Sequence, residues 1–254
     1  MNGSRGRLVI ALFLAVPAGS MHDTATQEPS GHGGAGAIAF HSDRAGGNHD
    51  IYVMASDGTD VKRLTDHRSL DNLPAWSPRG DRIAFCSNRV GNFEIYVMNA
   101  DGSAVTRLTR NTWMDLAPAW SPDGRRMAFH ANPEGVGRSD LYVMDADGSN
   151  LRRLTDSSAP DEFPVWSPDG GKLAFQTERD GNFDVYALDL NTGEVENLTH
   201  HPARDKFPAW SPNGHSIAFL SDRDGNYEIY RARVDGGGAT RLTDNRAEDG
   251  HPAW

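Results

Sequence analysis

Four short apolar phrases recur in a fixed order along the chain, separated by polar, turn-forming segments. In the second copy they read Ile95-Tyr96-Val97-Met98, Arg107-Leu108-Thr109, Pro118-Ala119-Trp120 and Met127-Ala128-Phe129. The phrases are rich in β-branched and aromatic residues and too short for helices, which predicts strands. They are continuous rather than alternating, so both faces should be buried. Successive copies end on Trp76, Trp120, Trp166, Trp210 and Trp254, 44 to 46 residues apart. Four strands in a period of that length predict an all-β fold, a five-bladed β-propeller of four-stranded antiparallel blades.

We name the strands A (Pro-Ala-Trp), B (Ile-Ala-Phe), C (Ile-Tyr-Val-Met) and D (Arg-Leu-Thr). Ser121-Pro122-Asp123-Gly124 and its counterparts suit type I turns between A and B. Asp-Gly at 57–58, 101–102 and 147–148 marks the C–D hairpins. One rim then carries the tight turns and the other the longer B–C and D–A loops. Tyrosine to leucine, leucine to tryptophan and tryptophan to phenylalanine keep fixed spacings in every copy; only phenylalanine to tyrosine varies. All length variation therefore lies in the B–C loop, where binding often resides. The repeats begin in strand B at Ile38 and run to strand A at Trp254. Pairing of this C-terminal strand with the N-terminal blade would close five blades without an open edge; a fragment of a larger ring is the alternative.

Formal net charge is −10, mean hydropathy is −0.59 and 37 % of residues are apolar. This excess of acid disfavours nucleic acid, which needs clustered Lys and Arg, and anionic membrane surfaces. Arg5 and Arg7, the apolar run Leu8–Val16 and the small residues after Pro17 read as a signal peptide over residues 1–20. Residues 21–36 read as a disordered lead-in and 37–254 as the propeller. The apolar run is too short to span a bilayer, so no membrane insertion is expected after cleavage. The one cysteine, Cys86, follows Phe85, where other copies have His41, His130, Gln176 and Leu220. It reads as a semi-buried free thiol.

An aspartate precedes the proline of strand A by three residues in every copy: Asp71, Asp115, Asp161, Asp205 and Asp249. These form either an anionic collar near the channel mouth, suited to a cation, basic peptide or sugar, or hydrogen-bond acceptors for their own loops. The B–C arginines (Arg44, Arg89, Arg138, Arg179 and Arg223) are expected to brace the acids just before strand C (Asp50, Glu94, Asp140, Asp184 and Glu228). Asp222 to Glu228 alternates oxygen ligands like a calcium loop but lacks a later Glu, and the rim histidines show no metal-ligand spacing, so no metal and no cofactor are expected. Gly214-His215-Ser216-Ile217-Ala218 lacks the final glycine of a nucleophile elbow, and no catalytic residue is assigned. Trp113-Met114, Phe163 and Phe207 before their prolines, and the Asn132-Pro133-Glu134-Gly135 insertion differ between copies and read as a binding signature; Phe163 and Phe207 read equally as buried rungs of strand A. With Arg138 and the collar, Trp113, Asn132 and Glu134 form the candidate binding set.

The phrases Pro-Ala-Trp-Ser-Pro-Asp-Gly, Ser-Asp-Arg-Asp-Gly-Asn-x-Glu-Ile-Tyr and Asp-Gly-x-x-x-x-Arg-Leu-Thr resemble the repeat of the TolB propeller family, over residues 37–254. The resemblance implies a periplasmic or secreted platform that binds a protein of the cell envelope, without the N-terminal domain of TolB. A non-catalytic, monomeric scaffold is therefore the expected function. A glycan-binding or glycan-active propeller using the acidic collar is the second reading, although glycosidase chemistry needs two carboxylates in unlike environments.

Overall fold

The computed structural model describes residues 36–133 and 138–254. The signal peptide, nearly all of the lead-in and Glu134 lie outside them. Strands β1 (Ala37–Ser42), β2 (Asp50–Ala55) and β3 (Lys62–Arg63) belong to the first blade. The second holds β4 (Asp71–Trp76), β5 (Arg82–Ser87), β6 (Glu94–Asn99) and β7 (Thr106–Arg107). The third holds β8 (Met114–Trp120), β9 (Arg126–Asn132), β10 (Asp140–Asp145) and β11 (Arg152–Arg153). In the fourth are β12 (Asp161–Trp166), β13 (Lys172–Thr177), β14 (Asp184–Asp189) and β15 (Val195–Asn197). The fifth has β16 (Asp205–Trp210), β17 (Ser216–Ser221), β18 (Glu228–Arg233) and β19 (Thr240–Arg241). Every ladder is antiparallel and follows chain order, giving a five-bladed all-β propeller.

The repeated phrases are the core. Phe85, Phe129, Phe175 and Phe219 are fully buried, and each strand-B phenylalanine faces a strand-C tyrosine in register, their rings 5.6 to 6.1 Å apart. The strand-D threonine turns inward: Thr65, Thr109, Thr155, Thr199 and Thr243 each accept a hydrogen bond from the first apolar N–H of strand C. The tryptophans join blades. Trp120, Trp166, Trp210 and Trp254 each donate Nε1–H to a strand-A carbonyl of the preceding blade, at 3.0 to 3.3 Å.

By the repeat, residues 249–254 correspond to strand A of the first blade, but among the described residues no ladder pairs them with β1. They dock against the fifth blade through Asp249 N to Tyr227 O (2.8 Å), Trp254 Nε1 to Ala209 O (3.0 Å) and the His251 ring stacked on Phe207. On the other flank, the first blade's ladder runs through β1, β2 and β3, and Trp76 Nε1 is buried without a partner among the described residues. By the repeat, its acceptor would be the carbonyl of Ala253. The C-terminal segment is thus anchored mainly by the blade before it.

Strand A is bulged in the other four blades. Leu73, Ala117, Phe163 and Phe207, each next to a proline, have φ between 50° and 53°, and the A–B register shifts there. A left-handed conformation is costly for such residues, so their surroundings must hold it. The preceding blade provides an acceptor. Leu73 N donates to His41 Nδ1, Phe163 N to His130 Nδ1 and Phe207 N to Gln176 Oε1; Cys86 stands at the same acceptor position for Ala117, whose backbone opposes the rise in the thiol pKa. The side chain after the strand-B phenylalanine is therefore a latch between blades. The fifth latch position is Leu220, which has no acceptor, and its counterpart His251 does not take the positive φ.

This latch explains Cys86. The thiol is fully buried, and burial above all pushes its pKa up. The folded protein should leave an aromatic disulfide reagent unreacted over hours and consume one equivalent only in denaturant; rapid labelling of the native chain would refute the latch role.

Candidate functional site

The B–C and D–A loops share one rim and are tied together from residues outward. Asn48, Asn92, Asn182 and Asn226 stand two positions before the strand-C acid, and each donates through Nδ2 to two carbonyls of the following D–A loop. The D–A loop caps itself: His67, Asn111, Ser157, His201 and Asn245 accept from the backbone N–H two residues on. The rim histidines His67 and His201 thus serve as loop acceptors.

The arginine braces differ from the expected pairing. Arg89, Arg179 and Arg223 reach the strand-A aspartates of their own blades, Asp71, Asp161 and Asp205, at 2.8 to 3.1 Å. Their guanidinium groups lie 4.5 to 4.8 Å from the ring centroids of Tyr96, Tyr186 and Tyr230. The acids before strand C are held instead by the strand-D arginine: Asp50 by Arg63, Glu94 by Arg107, Asp140 by Arg153 and Glu228 by Arg241. In the fourth blade Asn197 serves Asp184. The strands, not proximity along the loop, decide the partner. Strand A lies directly under its own blade's B–C loop, whereas strand D pairs with strand C.

Of the five collar aspartates, Asp71, Asp115, Asp161 and Asp205 are completely buried and Asp249 is half-buried. In the first blade, Arg44 stacks over Phe40 and Tyr52 but its bond is to Ser42, and Asp249 is held by Asn245. Burial raises the pKa of Asp205 although Ser221 and Arg223 oppose it. Two of the bulge residues pack together with His251: the Phe163 ring lies 4.9 Å from Phe207, and Phe207 3.7 Å from His251. Burial pushes His130 down to about 3, and burial with His49 and His251 pushes His41 down to about 4, so these imidazoles are neutral at physiological pH.

The third blade departs from this scheme in its B–C loop and at Trp113. Counting four residues from Phe129, as from Phe85 to Arg89, reaches Pro133 instead of arginine. Arg138 occupies the asparagine position and bonds Asp156, with Asp140 at 3.9 Å, so it neither ties the loops nor reaches Asp115. Trp113 stands where the other D–A loops have Ser69, Ala159, Ala203 and Ala247, and its ring lies 5.5 Å from Tyr142. A tryptophan thus covers the tyrosine that arginines cover in the other four blades. Asp115 keeps Asn111 as a donor to Oδ2 (2.8 Å), but its Oδ1 has no partner among the described residues. Burial pushes this carboxyl up to about 6, Thr109 and Asn111 opposing and nearby Glu94 adding to the rise.

Asn132 closes the cluster. It pairs with Met114 at the end of the β8–β9 ladder, and its Oδ1 is also buried and unpartnered among the described residues. Met114 and Val90 are each 47 % exposed. The two loops carrying them are tied by Asn92, which bonds the carbonyls of Asn111 and Trp113. Trp113, Asn132, Arg138 and Asp115 therefore gather on one blade, while Asp71, Asp161, Asp205 and Asp249 are spread over the other four. The carboxylates of the 222–228 loop are engaged by protein donors: Asp222 by Arg204 N, Asp224 by the Tyr230 hydroxyl and Glu228 by Asn226, Arg241 and Asn245 N. Among the described residues no group of three or more His, Cys, Asp or Glu side chains could hold a metal ion, and no helix is long and apolar enough to cross a membrane.

Comparison with known proteins accords with this architecture. The TolB beta propeller domain matches residues 23–114, 109–200 and 161–254. TolB from Acinetobacter baumannii is similar at 26 % identity and a TM-score of 0.75, over 85 % of this chain and 54 % of that one. A putative TolB from Agrobacterium tumefaciens is similar at 23 % identity and a TM-score of 0.70, over 82 % of this chain and 77 % of that one. This chain thus spans less than two thirds of the Acinetobacter protein. An oligogalacturonate lyase from Vibrio parahaemolyticus (14 % identity, TM-score 0.62, 82 % of this chain and 62 % of that one) shares the fold alone. No match is found among curated proteins. The chain belongs to the TolB beta propeller domain family.

Proposed function

We propose that this chain is an exported, non-catalytic propeller that binds a protein of the cell envelope through its B–C/D–A rim, with recognition centred on the third blade. One observation carries this reading. The third blade alone lacks both the loop-tying asparagine and the arginine brace, and there the rim presents Trp113 and exposed Met114 beside Val90. Exposed aromatic and methionine side chains on loops suit an interface better than chemistry. The N-terminal charge and apolar pattern supports export, and the family resemblance supports an envelope partner. Nucleic acid is disfavoured by the net charge of −10.

The test is affinity capture from envelope extract with the wild-type chain, Val90→Asp/Met114→Asp, and Val61→Asp on the opposite rim, run beside a glycan array. A specific protein should be recovered by wild type and Val61→Asp, and at least about tenfold less by the double variant, since charge in an apolar interface core is poorly tolerated. Glycan binding with no protein recovered would end the reading in favour of a lectin-like propeller.

A further inference from the structure

Three blades place an arginine in one mould. Its floor is the strand-B phenylalanine and strand-C tyrosine, and its end wall is the strand-A aspartate. Arg89, Arg179 and Arg223 fill it from their own B–C loops, with side chains only 13 to 23 % exposed. The third blade keeps the mould's fixed parts. Phe129 and Tyr142 stack at 5.8 Å, and Asp115 stands at the end, fully buried, with Oδ1 unpartnered among the described residues. What it lacks is the arginine. Trp113, half-buried and coming from the D–A loop, leans on Tyr142 instead.

We infer that the third blade's rim receives a guanidinium group from the partner protein, with Asp115 as the carboxylate that binds it and Tyr142 and Trp113 as the planes that stack on it. The inference rests on the protein-binding reading above and names the chemistry that the partner must present. A guanidinium fits because this fold already binds that group with these residue types three times over. A carboxylate end wall and an aromatic face match its fork of donors and its flat, weakly hydrated surface better than those of an ammonium. To admit it, the half-buried Trp113 turns away from Tyr142. The acidic net charge favours approach of a basic segment.

The experiment is an NMR titration of the 15N-labelled full chain with N-acetyl-arginine amide and with the citrulline analogue, which keeps the shape without the charge. The Trp113 indole signal, assigned through Trp113→Phe, should shift saturably with the arginine probe and respond at least about tenfold more weakly to citrulline. Asp115→Asn should abolish the discrimination. Trp113→Ala, the residue at this place in three other blades, should bind at least as tightly when followed at the backbone amides of Asn111 and Tyr142. Trp113→Ala/Pro133→Arg rebuilds the internal brace and should lose the response. An unmoved Trp113 indole, equal response to both probes, or unchanged discrimination in Asp115→Asn would overturn the inference. Capture through Val90 and Met114 does not depend on Asp115. A silent arginine probe with capture intact would therefore reject this inference and leave the protein-binding reading standing.

Discussion

Arg223→Ala should destabilise the protein by about 3–5 kcal/mol, because it leaves a buried carboxylate without its counter-charge. Arg223 donates to both oxygens of Asp205 (3.1 and 3.0 Å) and to Ser221 (2.8 Å), and its guanidinium packs 4.5 Å from the Tyr230 ring centroid. Asp205 has no exposed surface, and burial already holds its carboxyl above the usual range with the arginine present. Removing the cation raises it further. The folded variant then binds a proton more tightly than its unfolded chain does, so stability lost at neutral pH should return as pH falls through the folded pKa. Arg223→Lys should recover little, since an ammonium has neither the second nitrogen that reaches Ser221 nor the flat face that packs on the Tyr230 ring. Urea unfolding at pH 7.5 and pH 5 checks both points. A loss below about 1 kcal/mol at pH 7.5, the range of an exposed pair, would show that the brace is a surface interaction.

The legible part of this molecule is what repeats. The strand phrases, their turns and the constant spacings follow from burial on both faces and from turn chemistry. Pairing was less legible, because Arg89 is five residues from Glu94 and eighteen from Asp71, yet the fold brings it to Asp71. Chain separation is a poor guide where strands A and D flank the same hairpin. The asparagine tie was present as a recurring Gly-Asn at 47–48, 91–92, 181–182 and 225–226, and needed the D–A carbonyls to acquire meaning. The bulges at Leu73, Ala117, Phe163 and Phe207 had no local signal at all. A residue before proline is normally extended, and here the acceptor that holds it lies one blade away. Aligning Pro133 with Arg89, and Trp113 with Ser69 and Ala159, would have exposed the third blade as the exception. The length of its B–C loop obscured that alignment by making Arg138 look like the missing arginine.

Asp115→Asn should stabilise the protein at neutral pH, in contrast to nearly every other substitution at a fully buried site. In the wild type the Asp115 carboxyl is pushed from 3.8 up to about 6, first by burial and then by Glu94, against the donors Thr109 and Asn111. A group whose folded pKa is raised favours the fold while it is protonated, and that advantage disappears as pH rises through the folded value. Over this window the wild type should lose about 3 kcal/mol relative to a chain without the group, the linkage value of such a shift. Asparagine carries no charge to desolvate. Its amide oxygen can still accept from Asn111, and its NH2 can donate to the unpartnered Oε2 of buried Glu94. Wild type and variant should therefore be about equally stable near pH 4 and diverge between pH 4 and pH 7, the variant melting several degrees higher at pH 7.5. Parallel stability curves across that range would mean that Asp115 is already neutralised by a cation in the folded protein. Divergence would mean that the third blade holds an uncompensated buried charge, and that a partner's guanidinium would relieve it.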